Sequence, residues 1–292
     1  MARSEAAAGS PARRVPATVL VLASIASVQA GAAFAKSLFD QLGSGGAVFL
    51  RGLGAAVVLL AVWRPRLDRV GRSRREWVLI GLFALAQTIL MWAFYAAIDR
   101  IPLATAVAIE FTGPLGVAVA GSRRLLDLLW VALAAAGVLL LTGGFAGALD
   151  PVGVLLAFVA GAGWAAYILL SQRLGRVAAG GTGLALSVAV STVLLAPVGI
   201  AQAGTALLDW RLLLAGAGVG ILASVVPFSL EMEALRRLPA RVFGVLMSLE
   251  PGAAALAGFV LLGETLTGRE LAGIACVIVA SAGAAGRPGS SR

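Results

Sequence analysis

Residues 101–124, IPLATAVAIEFTGPLGVAVAGSRR, constrain the fold more than any other stretch of the chain. They form an apolar run of about membrane length. Yet they carry a carboxylate, Glu110, near the middle and a proline, Pro114, one helical turn later. Proline has no N–H, so within a helix the carbonyl of Glu110 loses its partner. In hydrocarbon that carbonyl and the acid beside it both need a polar partner or water. Such a segment faces a cavity inside a helix bundle rather than lipid.

The same design recurs 137 positions later. Ile98-Asp99-Arg100-Ile101-Pro102 falls on Leu235-Arg236-Arg237-Leu238-Pro239, and Pro114 falls on Pro251, which directly follows a second acid, Glu250. An apolar span precedes each copy (76–97 and 213–234) and another follows it, as a duplicated chain requires. Composition sets the class: 60% of the 292 residues are hydrophobic and 13% charged, against about 45–50% and about 25% in soluble domains. Mean hydropathy is +0.97. The chain reads as a polytopic membrane protein with no polar interval long enough for a soluble domain.

Ten apolar spans fall at about 15–39, 44–63, 76–97, 101–121, 125–142, 151–171, 182–203, 212–234, 240–262 and 269–285. The first, with Val28-Gln29-Ala30, has the look of a cleavable signal, but it is long for one and matches the helix that opens the second copy. The net charge of +9 does not point to nucleic acid, because the arginines sit in short turns between spans. One set of alternate loops, with both tails, holds eighteen arginines, among them Arg64, Arg66, Arg123, Arg124, Arg173 and Arg236. The opposite loops hold Arg100, Arg211 and Arg269 mixed with Asp40, Asp99, Asp150, Asp209, Glu264 and Glu270. The positive-inside rule then predicts both termini in the cytoplasm. Five spans is an odd number, so the two copies lie inverted. The expected architecture is an all-α membrane protein of ten transmembrane helices in two inverted five-helix repeats, 15–146 and 147–286. Tails at 1–14, expected to be disordered, and 287–292 lie in the cytoplasm, and the protein sits in the inner membrane as a monomer or homodimer. Inverted repeats are the architecture of secondary transporters, which bind substrate near the midplane.

Several chemistries are excluded. Histidine is absent and Cys276 is the single cysteine, so neither a zinc site nor an intrachain disulfide can form. Gly216-Ala-Gly218-Val-Gly220 lacks the Lys-Ser/Thr of a phosphate loop, so no nucleotide cofactor is expected and the driving force is a gradient. An intramembrane enzyme would need a nucleophile and base that this composition does not supply.

Ionisable groups within the spans are few, and a charge at the bilayer centre costs about 2.5–3.5 kcal/mol on insertion scales. Glu110 and Glu250 are the deepest acids and suit proton coupling or recognition of a substrate ammonium. Arg51 suits a substrate carboxylate or a buried acid. Lys36, near the end of its span, can reach the interface. Glu231 is a cavity acid, whereas Glu233 can pair with Arg236 and Arg237 at i+3 and i+4. Gln29, Gln87, Tyr95, Trp164 and Tyr167 complete the candidate substrate or proton pathway, and Pro114 and Pro251 are candidate helix bends.

The stretches IPLATAVAIEFTGPLGVAVAGSRRLLDLLW (101–130) and SVVPFSLEMEALRRLPARVFGVLMSLEPGAAALAGFVLLGE (224–264) are similar to those of EamA-domain transporters of the drug/metabolite transporter superfamily, and within it resemble the threonine/homoserine exporter branch. The resemblance spans nearly the whole chain apart from its tails. It implies export of a small neutral amino acid driven by the proton gradient, and it implies no set of catalytic residues. A zwitterion has no net charge, but exchange for one proton draws on about 2.3 kcal/mol per 100 mV. At about 1.36 kcal/mol per decade that supports a roughly fifty-fold gradient. The alternative within the fold is a multidrug or aromatic-metabolite exporter. A cavity dominated by Trp92, Tyr95, Trp164 and Tyr167 would favour it, and one ringed by Glu110, Gln87 and Arg51 favours amino acids.

Overall fold

A computed structural model describes residues 15–64, 74–120, 125–142, 149–174, 182–238 and 240–285. Both tails, much of the arginine-rich loop after span 2, and Arg123 and Arg124 lie outside the described residues. Every described element is helical, with no strand among them. The helices are α1 (Ala17–Lys36), α2 (Phe39–Trp63), α3 (Arg74–Ile98), α4 (Leu103–Glu110), α5 (Thr112–Ala120), α6 (Leu125–Thr142), α7 (Pro151–Leu174), α8 (Thr182–Ala203), α9 (Trp210–Gly220), α10 (Val226–Leu235), α11 (Ala240–Met247), α12 (Glu250–Leu262) and α13 (Gly268–Ala285). Seven helical stretches among the described residues are long and apolar enough to cross a membrane, and Leu103–Val117 and Leu128–Thr142 are shorter apolar helices. Large apolar side chains such as Val62, Leu155, Val193 and Phe259 are more than half exposed. An apolar exterior on helices this apolar suits lipid contact.

Helix ends follow local chemistry. Asp209 caps α9 by accepting from the Arg211 N–H at 2.8 Å. Thr267 and Glu270 form a capping box at α13: the Glu270 carboxylate accepts from the Thr267 N–H at 2.7 Å, and the Glu270 N–H donates to the Thr267 hydroxyl at 3.3 Å. Three interruptions differ from the expected spans. The fourth breaks at Phe111 and the ninth at Ser248 and Leu249, each two to three residues ahead of its proline. That leaves Pro114 and Pro251 in the first turn of the following helix, where a missing N–H costs nothing. Residues Ile221–Val225 form a π-helical turn between α9 and α10, a device frequent at functional sites. Gly43 takes φ 66° inside α2.

Helix α2 packs along α8, α3 along α7, α6 along α13, and α1 along α10 and α12, while α4 contacts α7 and α12. Small residues permit the closest crossings. A Cβ on Gly113 would collide with the carbonyl of Gly161, and one on Gly161 would lie 2.8 Å from the carbonyl oxygen of Glu110. The Glu110 carbonyl that Pro114 cannot serve is thus covered by the glycine face of α7.

Hydrogen bonds tie seven helix ends in three groups. The Lys36 ammonium pairs with Glu264 at 2.6 Å and donates to the Ile101 carbonyl at 3.3 Å. The other Glu264 oxygen accepts from the Leu103 N–H at 2.9 Å, capping α4. Arg100 pairs with Asp150 at 3.0 Å, and Gln202 accepts from the Gly45 N–H at 2.7 Å. Behind this end lies one continuous apolar core that includes Leu42, Ile98, Leu103 and Leu212. Toward the opposite end the core divides into four small clusters: Ala56, Leu59 and Ala185; Ile80, Phe83 and Leu174; Val21, Ile25 and Ala234; and Leu115, Ala134 and Ala280. The bundle is knit at the Lys36 end and splayed at the other.

Candidate functional site

Between the knit end and the splayed end lies a cavity of about 210 Å³. Gln29, Arg51, Gln87, Glu110, Trp164, Tyr167, Glu231 and Glu250 all line it, brought from seven different helices. Tyr95 does not line it. That side chain is fully buried behind Arg51, where its hydroxyl accepts from Arg51 Nη1 at 3.4 Å and its ring lies 5.6 Å from the guanidinium carbon. Phe39 and Phe94 pack against the same ring. Trp92, 38% exposed, points away from the cavity. Lys36 and Glu233 also lie elsewhere. Lys36 is committed to Glu264, and Glu233 pairs with Arg236 and Arg237.

Arg51 is held by neutral groups alone. Nη2 donates to the Ala223 carbonyl at 2.9 Å and Nε to the Ser224 hydroxyl at 3.3 Å. Both acceptors belong to the π-helical turn, whose wide winding turns a backbone carbonyl toward the cavity wall. The backbones meet there, since a Cβ on Gly220 would lie 2.6 Å from the Arg51 carbonyl oxygen. Among the described residues no carboxylate lies within 4.0 Å of Arg51. Its positive charge is therefore oriented but not neutralised by contact.

The acids are treated differently from one another. Glu231 accepts a hydrogen bond from the buried Ser24 hydroxyl at 2.6 Å. Glu250 accepts from Gln29 Nε2 at 3.3 Å. Glu110 is only 7% exposed, yet none of the hydrogen bonds among the described residues reaches its carboxylate. It lies within Coulombic range of Glu250 and Arg51, and Glu250 within range of Glu231. The aromatic wall is Trp164, edge-on to Phe111 at 5.0 Å, and Tyr167, against Phe83 at 4.6 Å. A site that pairs an unneutralised guanidinium with an unpartnered carboxylate suits a ligand with a carboxylate at one end and an ammonium at the other.

Sequence reasoning passed over Ser24, Ser191, Thr192 and Ser224, three of which line the cavity directly. Hydroxyls are common in membrane helices and satisfy themselves on the preceding turn, as Thr192 does on the Val188 carbonyl at 2.8 Å. Nothing in the local sequence distinguishes the ones that face a ligand.

Comparison with known proteins adds identity to this geometry. Residues 151–285 match the family model described as "EamA-like transporter family". The chain is 42% identical over 271 residues to the threonine/homoserine exporter RhtA of Salmonella typhimurium, covering 92% of this chain and 90% of that protein. It is 42% identical over 267 residues to RhtA of Escherichia coli K12, covering 91% and 90%. It is 30% identical to the uncharacterized transporter YwfM of Bacillus subtilis, covering 78% and 79%. A solved crystal structure shares the fold at a TM-score of 0.57 and 20% identity, over 91% of this chain and 95% of that one. The relatives are named as transporters rather than enzymes, and the chain, a multi-pass membrane protein, belongs to the EamA-like transporter family.

Proposed function

We propose that the protein exports threonine, homoserine or a similar small neutral amino acid across the cytoplasmic membrane in exchange for protons, by alternating access. The observation that carries this is that Arg51, a cation without a contacting carboxylate, and Glu110, a carboxylate without a hydrogen bond, line the same cavity. The substrate carboxylate docks on Arg51 and its ammonium on Glu110. The names of the RhtA relatives supply the substrate class.

Ten membrane crossings in two inverted halves are the architecture proposed. The helix pairings support it, because exchanging the halves turns α1·α10 into α3·α7 and leaves α2·α8 and α6·α13 unchanged. The cavity supports it too. Positions 137 apart line it together: Arg51 with Val188, Gln87 with Ser224, Phe94 with Glu231, Glu110 with Met247. In three of these four pairs one member is ionisable and the other apolar. Duplication accounts for the shape of such a cavity, and divergence for its polarity. With both termini cytoplasmic, the splayed end faces the cytoplasm and the Lys36 end is the closed outer gate. This conformation accepts substrate from inside.

The second reading, an exporter of aromatic or cationic drugs, draws on Trp164 and Tyr167. It is disfavoured because Trp92 points outward and Tyr95 stands behind Arg51, while Arg51, Glu110 and Gln87 all face the cavity. Reconstituted protein decides between them. The expected result is pH-gradient-driven movement of labelled threonine or homoserine, inhibited by each other and not by tetraphenylphosphonium. Movement of the aromatic cation without threonine transport overturns the amino-acid reading.

A further inference from the structure

The cavity gathers three carboxyls against one guanidinium, and one of the three is partnered in a way that ionisation cannot satisfy. Gln29 Nε2 donates to Glu250 Oε1 at 3.3 Å. The remaining oxygen of each partner, Gln29 Oε1 and Glu250 Oε2, is sealed from solvent and has no donor among the described residues. Both side chains are buried, at 3% and 6% exposure. Ionised Glu250 offers only acceptors, so it leaves both oxygens orphaned, an arrangement native interiors avoid. A proton on Oε2 changes the count. A neutral carboxylic acid and a primary amide can pair in an eight-membered ring closed by two hydrogen bonds, N–H to carboxyl oxygen and O–H to amide oxygen. In that paired geometry one proton satisfies both orphans.

We infer that Glu250 holds a proton directed at Gln29 Oε1, and that this pair is the proton-binding site of the transport cycle, leaving Glu110 free for the substrate ammonium. The inference rests on the proton-exchange reading above. The surroundings agree with a neutral Glu250. Helices α1, α4 and α13 pack on α12. From α4 comes Glu110, and from α10 comes Glu231, both acids. The basic residue of α1, Lys36, is committed to Glu264 at the far end, and Arg269 and Glu270 sit in the distant first turn of α13. None of the ion pairs among the described residues includes Glu250, and a buried carboxylate without a contacting cation is costly. Glu110 lines the same cavity and differs in carrying no amide partner. The pair also joins the two proposed halves, α1 from one and α12 from the other. Motion that parts the halves separates Gln29 from Glu250, removes the amide that receives the proton's hydrogen bond, and releases the proton to the newly opened side.

The test is infrared difference spectroscopy of reconstituted protein titrated with acid and base. The C=O stretch of a protonated carboxyl is expected in wild type at neutral pH. It is lost in Glu250→Gln, retained in Glu110→Gln, and shifted to higher frequency in Gln29→Leu, which keeps the acid and removes its amide. A band absent from wild type, lost in Glu110→Gln, or unmoved in Gln29→Leu overturns the inference, and the Gln29→Leu arm decides even where Glu250→Gln fails to fold. In Glu250→Gln, threonine accumulation driven by a proton-motive force is expected to fall from roughly fifty-fold at 100 mV to none. Undiminished proton-driven accumulation in folded Glu250→Gln overturns the assignment. Wild-type protein that shows the band but moves no threonine refutes the amino-acid reading and leaves the proton pair standing.

Discussion

Arg51 and Tyr95 show how residue-scale geometry divides labour. Tyr95 carries no ligand contact in the cavity; it fixes a guanidinium that has no carboxylate to fix it. Tyr95→Phe keeps the ring and deletes one hydrogen bond, and a neutral hydrogen bond contributes about 0.5–1.5 kcal/mol. Threonine affinity is therefore expected to fall about two- to tenfold, with folding intact. Arg51→Gln removes the charge itself, and binding measured in the same way is expected to be lost. Equal affinity in wild type and Arg51→Gln would remove Arg51 from the site. The sequence made Glu110, Glu250 and Arg51 legible because a charge in an apolar span is rare and needs a reason. It did not make the support of Arg51 legible, since Tyr95, Ala223 and Ser224 come together only through helix packing.

At the scale of elements, two devices can be tested. Pro114 and the Gly113–Gly161 crossing hold α4 and α5 as separate rods. Pro114→Ala gives Glu110 its backbone partner back and is expected to slow transport more than it lowers stability; an unchanged rate would deny the break a mechanical role. The Lys36–Glu264–Leu103 cluster ties together the end proposed to face outward. In a Cys276→Ala background, Lys36→Met is expected to expose a cysteine placed at the buried Leu42 to an impermeant thiol reagent from outside. Unchanged protection would show that the apolar core alone holds the gate. Arg100–Asp150 is a weaker tie at the surface. The hydrogen bond from Arg100, and then that from the Val152 N–H, holds the Asp150 carboxyl below its ordinary range. That contribution is present above about pH 4, the unfolded aspartate value, and fades only as pH falls through the lower folded value. The tie therefore persists across the neutral range. The apolar helices and the interruptions near Pro114 and Pro251 were readable in the sequence, whereas the Thr267–Glu270 capping box was passed over. The π-helical turn and the kink at Gly43 were not readable, because each answers to a neighbouring helix rather than to its own sequence.

For the whole molecule, the central proposal is a duplicated bundle in which one gate is shut and the cavity opens to the cytoplasm. In a Cys276→Ala background, cysteines at Ser37 and Arg64 are expected to label from opposite faces of the membrane. Labelling of both from one side would break the inverted arrangement. The 137-residue offset was visible in the chain, and its consequence, paired positions lining one cavity, needed the fold. The most direct measurement is threonine binding to purified wild-type and Glu110→Gln protein by isothermal titration. Glutamine keeps the shape of the side chain and a hydrogen-bonding tip but removes the charge that receives the ammonium. A charge-assisted hydrogen bond contributes about 1.5–3 kcal/mol, so the affinity is predicted to fall about tenfold or more, with the variant as monodisperse and as thermally stable as wild type. Wild-type affinity in Glu110→Gln would contradict the account at its centre.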